Sequence, residues 1–143
     1  MTLRNLLFAP IILSFLSFAQ SISDNDADKI IGEYRMPNDL DIKIYKAKDG
    51  YQGKIIALNG FNEGQTKDIN NPDKERRTDP LLGNIILTGL HFEKESKEWT
   101  GGRMYSPEKG MEVRFKVIKH NNQSITVVAS KYLFSKTLDW ERR

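Results

Sequence analysis

The sequence of 143 residues contains no cysteine. Disulfides, thiolate metal sites, a cysteine nucleophile and lipid attachment at cysteine are therefore all excluded. Histidine is nearly missing: His91 lies in an apolar run and His120 beside Asn121. Neither has a His-x-x-x-His partner, so no shared metal is expected and each is read as structural or solvated. No Gly-x-Ser-x-Gly is present, and no glycine-rich loop opens a helix to cradle phosphate or a dinucleotide. No catalytic set and no cofactor is expected from these absences. The calculated pI is 9.1, yet no basic run exceeds two residues and acids are interspersed throughout. That pattern is a mixed solvated surface rather than a nucleic-acid footprint.

Long apolar runs are also scarce, with one exception at the start. Met1 to Asn5 carries Arg4 and no acid; Leu6 to Phe18 is apolar apart from Pro10, Ser14 and Ser17; Ser17-Phe18-Ala19 offers small residues at the cleavage positions. These are the three parts of an export signal, with cleavage expected between Ala19 and Gln20. A permanent membrane anchor, the competing reading, needs about 20 apolar residues. The expected product is exported, periplasmic or secreted. Removing residues 1–19 leaves roughly 120 residues, which suits one domain able to fold without disulfides. Residues 20–29 form an acidic lead-in whose Asp24, Asp26 and Asp28 alternate like a calcium loop. Lys29 and Arg35 occupy the positions where such a loop requires Gly and Glu, so it is read as a solvated approach to the domain at 30–143.

From there, alternation dominates. In "LDIKIYK" Leu40, Ile42 and Ile44 oppose Asp41, Lys43 and Tyr45; in "MEVRFKV" Met111, Val113, Phe115 and Val117 oppose Glu112, Arg114 and Lys116. Period two marks antiparallel strands with one face buried. Turn residues at Asp49-Gly50, Asn59-Gly60, Pro107 to Gly110 and Asn121-Asn122 separate the runs. About eight strands result, near Ile30–Arg35, Asp41–Lys46, Tyr51–Leu58, Asn84–Phe92, Glu98–Tyr105, Met111–Lys119, Ser124–Tyr132 and Lys136–Arg142. The connection Phe61–Leu82 breaks the pattern. Its Asn71-Pro72 predicts a short helix or ordered lid, with Asn71 as cap.

Eight short antiparallel strands form either a closed barrel or a two-sheet sandwich. Gly53, Gly89, Gly101 and Gly102 lie inside strands, where glycine is costly unless the sheet bends sharply. The pair Gly101-Gly102 would re-aim Arg103 and Tyr105 after Trp99; an ordinary bulge with no further role is the alternative.

The blocks "IIGEYR", "GYQGKI", "NPD", "RTDPLLGNIILTGL", "EWTGGRMYSPEKG" and "KTLDWERR" occur in that order between Ile30 and Arg143. The series resembles the bacterial exported family known as domain of unknown function 2147. The resemblance implies an all-β, lipocalin-like barrel of about eight strands, and by fold analogy a small bound ligand. It also implies a floor closed by an aromatic of the first strand beside a cation of the last. Tyr34 and Arg142 are placed for that role, with Trp140 on the same strand face as Arg142. Two departures stand out: Tyr34 replaces the family's usual Trp, and Gly110-Met111-Glu112-Val113-Arg114 lacks its usual Tyr.

Two functions stay open, with a third behind them. In the first, Ile42, Ile44, Ile55, Leu87, Val113, Phe115 and Val127 wall a cavity for a small apolar or amphipathic ligand. Trp99, Arg103, Tyr105, Asn71 and Arg77 would be polar handles near its mouth; the structural alternative makes Asn71 a cap, Trp99 core and the rest surface. In the second, the barrel is solid and the Phe61–Leu82 lid meets a protein partner. The third is a hydrolase or isomerase using Asp79 with Arg103.

Overall fold

The computed structural model describes residues 26–143; the expected leader and residues 20–25 of the acidic lead-in lie outside the described residues. Eight antiparallel strands close into one barrel in sequence order. They are β1 (Gly32–Arg35), β2 (Asp41–Ala47), β3 (Gly50–Ala57), β4 (Ile85–Glu93), β5 (Glu98–Ser106), β6 (Met111–His120), β7 (Ser124–Lys131) and β8 (Phe134–Arg142). Closure rests on a short seam, in which Tyr34 pairs with Arg142 and Arg35 with Glu141. The sandwich alternative is excluded by this pairing.

Antiparallel succession fixes which loops share an end. The β1–β2, β3–β4, β5–β6 and β7–β8 connections gather at one end, called here the mouth. The other three turns and residue 26 gather at the opposite end, the floor. There the chain differs from a solvated lead-in. Asp28–Ile30 is a 3₁₀ turn, Ile30 is buried, and the first strand starts at Gly32 rather than Ile30. Ala27, Lys29, Ile30 and Ile31 all present carbonyls to barrel side chains. Backbone at a barrel end needs partners once water is excluded, and this plug obtains them from the strands.

The glycine pair has a geometric consequence. Gly89 and Gly101 both take left-handed φ, 75° and 73°, and face each other across β4 and β5. The pairs Thr88↔Arg103 and His91↔Thr100 flank them without a register change, because both strands bulge together. Each bulge inverts the side-chain parity of its own strand. Trp99 and Met104 therefore both reach the interior, and Arg103 and Tyr105 are turned outward.

The connection at residues 58–84 contains a four-residue helical turn, Phe61–Gly64, left-handed at Asn62 and Glu63, and a 3₁₀ turn, Lys74–Arg76. The expected helix thus starts later and is capped differently. Asp73, not Asn71, accepts from the Glu75 amide, at 3.0 Å. Asn71 instead accepts from the Asp73 amide at 2.9 Å, forming a turn one step before the helix.

Candidate functional site

The interior divides into two halves. Toward β1–β4 it is packed: Ile42, Ile44, Ile55, Leu87 and Leu90 are fully buried together. Four of the seven expected wall residues (Ile42, Ile44, Ile55 and Leu87) thus fill the barrel instead of lining a space. Toward β5–β8 a cavity of about 520 Å³ remains, within the range of small-molecule sites. Val113, Phe115 and Val127 line it, joined by Met104, Met111, Ala129, Leu138 and Trp140. These come from alternate positions of four successive strands, so the wall is apolar and continuous.

The mouth is polar. Met36, Pro37 and Asn38 of the β1–β2 turn, Glu108 and Lys109 of the β5–β6 turn, and Lys131 and Lys136 of β7 and β8 rim the cavity. At depth, Trp140 packs its ring on Phe115, centroids 5.1 Å apart. Its indole Nε1 is the one buried side-chain nitrogen or oxygen without a hydrogen-bond partner among the described residues. An unmade buried donor is costly by about 1–3 kcal/mol.

None of the five expected handles lines this cavity. Trp99 is fully buried at the floor, donating to the Ala27 carbonyl at 2.9 Å. Its ring packs between Phe92, at 4.9 Å, and His120, at 5.4 Å. Burial, with Lys29 and Arg142 nearby, holds the His120 pKa below its ordinary value. Arg103 is on the outer wall, paired with Glu112. The Asp79–Arg103 pair does not form: Asp79 is half-exposed and bonds Arg76 at 3.3 Å. His91 meets the Gly89 carbonyl on the outer wall, away from His120 and Trp99.

Tyr105, Asn71 and Arg77 do come together, on the outside of the barrel. Their centre is Asp68, buried to 1 % exposure, which the sequence reading had not singled out. Its carboxylate accepts from Tyr105 Oη and from Asn71 Nδ2, each at 2.7 Å. Arg77 Nε donates to the Asn71 carbonyl at 2.8 Å. One residue before Asn71, Asn70 Nδ2 donates to the Pro107 and Glu108 carbonyls, both at 3.1 Å. The 58–84 connection is thus strapped to the β5–β6 hairpin by its own "NNP" segment. This cluster is a structural clasp, since the Asp68 carboxylate, Tyr105 Oη and Asn71 Nδ2 are all satisfied by one another.

The clasp predicts alkaline sensitivity. Burial first, then the hydrogen bond and negative charge of Asp68, push the Tyr105 pKa well above its ordinary value of about 10. A raised phenol pKa means its contribution is complete below pH ~10 and lost as pH rises through the folded value. Tyr34, raised to about 12 by burial against the opposing pull of Arg142, adds to the same window. Tyr105→Phe should cost about 1.5–3 kcal/mol at neutral pH, the usual worth of a hydrogen bond to a charged group. It should also flatten the fall in stability between pH ~10 and ~12. Urea titrations at neutral and alkaline pH check both effects; an unchanged alkaline slope would remove Tyr105 as their source.

At the floor, the Arg142 guanidinium lies 5.0 Å from the centroid of the buried Tyr34 ring. Tyr34 Oη donates to the Ile30 carbonyl at 2.8 Å, and Arg142 reaches the carbonyls of Lys29 and Ile31. First strand, last strand and plug meet there. Trp140 sits two residues along β8 from Arg142, between this floor and the cavity.

An eight-stranded antiparallel barrel closed on itself, plugged at one end and hollow at the other, is a lipocalin-like fold. The likeness extends to a solved structure, protein HP1028 from the human pathogen Helicobacter pylori, which belongs to the lipocalin family. It matches with a TM-score of 0.68 at 19% identity, covering 79% of this chain and 82% of that one. Residues 32–142 match the family described as uncharacterized protein conserved in bacteria (DUF2147), and the chain belongs to that family. No curated protein matches the sequence.

Proposed function

We propose that this chain is an exported, non-catalytic binding protein that holds one small, partly apolar molecule in the β5–β8 half of its barrel. The observation that carries the reading is the 520 Å³ cavity, walled by apolar side chains and rimmed by Lys109, Lys131 and Lys136. The space opens to water at the mouth, and a partly apolar ligand seated there would remove its apolar walls from solvent. Export rests on the Met1–Ala19 signal pattern. The solid-barrel reading loses its premise on the hollow side.

Ala129 projects into the cavity between Phe115 and Lys136, its cross-strand neighbours. Ala129→Phe should fill the space and weaken binding of the apolar anionic dye 1-anilinonaphthalene-8-sulfonate at least tenfold, with an unchanged circular dichroism spectrum. Titration of dye fluorescence reads the effect. A folded Ala129→Phe protein that binds the dye as wild type does would overturn the cavity as the site. Native mass spectrometry of protein from its own envelope or medium should then carry a reproducible bound mass, absent from the same variant.

A further inference from the structure

We propose that the tip of the β7–β8 hairpin is a membrane-docking finger, inserting Tyr132, Leu133 and Phe134 into the headgroup layer of an anionic bilayer. Most large apolar side chains are buried, but these three consecutive ones are 82%, 99% and 81% exposed. No other exposed large apolar residue among the described residues exceeds 55%. Tyr132 holds φ at 53°, a left-handed value at which a bulky aromatic is strained and glycine is ordinary. A hairpin that serves only to reverse direction would be more stable with polar turn residues.

The surrounding charge identifies the partner. Lys131 and Lys136 flank the finger, and Lys109 shares the same mouth. Arg114 Nη2 donates to the Tyr132 carbonyl at 3.3 Å. No ion pair among the described residues engages any of these four cations. The nearby acids are Glu108 and Glu112, and Arg103 holds the second. Apolar and aromatic tips ringed by lysine match a bilayer interface that is apolar within and anionic at its surface. A second copy of the chain fits less well. Three convex side chains offer on the order of 500 Å², short of the ~800 Å² per partner of a stable interface. Docked this way, the cavity mouth faces the bilayer, but the proposal stands whether or not the cavity is filled.

Vesicle flotation tests it, using the chain without Met1–Ala19, which retains the whole barrel. Vesicles of phosphatidylcholine alone are compared with vesicles containing about one-third phosphatidylglycerol. Wild type should partition at least tenfold more strongly to the anionic vesicles, and added salt should weaken it. Leu133→Ser with Phe134→Ser should reduce partitioning at least tenfold with an unchanged thermal melt, since both side chains are exposed. Lys131→Gln with Lys136→Gln should remove most of the preference for anionic lipid. Wild type that stays unbound with both vesicles overturns the proposal. So does a Ser variant that floats like wild type, or a tip that drives self-association in the absence of lipid.

Discussion

Trp99→Ala should lower the free energy of unfolding by about 3–5 kcal/mol, the usual cost of truncating a large buried aromatic. The side chain is fully enclosed, its Nε1 is bonded to Ala27 and its ring is flanked by Phe92 and His120. Truncation removes core and plug contacts together. With total stability in the usual range of about 5–15 kcal/mol, the loss is severe enough to unfold a marginal barrel. Trp99→Phe keeps most of the apolar area and loses the indole donor, and should cost roughly 1–2 kcal/mol. Because Trp99 is at the floor, the dye affinity of whatever remains folded should be near that of wild type. Urea unfolding with parallel dye titration separates stability from recognition. A loss below about 1 kcal/mol for Trp99→Ala would contradict a floor built on this residue.

The second large effect belongs to Gly110. A Cβ there would stand 1.8 Å from the Asn70 carbonyl oxygen, and φ is 62°. Neither fault relaxes easily, because the obstacle is backbone and Asn70 is itself tied to Pro107 and Glu108. Gly110→Ala should therefore cost about 2–4 kcal/mol, combining left-handed strain with a forced displacement of the strap. Gly83 is the control: its φ is 83°, but an added Cβ meets nothing within 4 Å. Gly83→Ala should lose only about 1 kcal/mol. Hydrogen exchange should report the difference locally, with the Asn71 amide, bonded to the Asp68 carbonyl at 3.0 Å, deprotected in Gly110→Ala alone. Equal losses for the two variants would mean that the close approach carries no energy.

Strand number, order and most boundaries were legible in the sequence because period-two patterning is a local property. The runs around Ile42 and Val113 state which residues face inward without knowledge of their neighbours. Parity across a bulge is different. Strict alternation puts Trp99, Arg103 and Tyr105 on one face, whereas left-handed glycine at position 101 separates the first from the other two. Nothing local gives the direction of that switch, and Arg103 and Tyr105, expected at the mouth, lie on the outer wall. The glycine pair signals that the strand is re-aimed but not which face the following side chains take. Packing was less legible still. Ile42 and Val127 look alike in sequence, yet one fills the barrel and the other walls a space, which depends on opposing side chains across the interior. The Tyr132-Leu133-Phe134 tip carries a local signal of its own, three apolar residues without alternation at a strand break. Asp68 carried none, since a buried carboxylate depends on donors 3 and 37 residues away.

The two-pair seam between β1 and β8 constrains how the barrel can assemble. β8 joins β1 from the far end of the strand order, so the ring of hydrogen bonds is completed only once all eight strands have paired. Until then the partly assembled sheet carries two unsatisfied edges, each open to pairing with another chain.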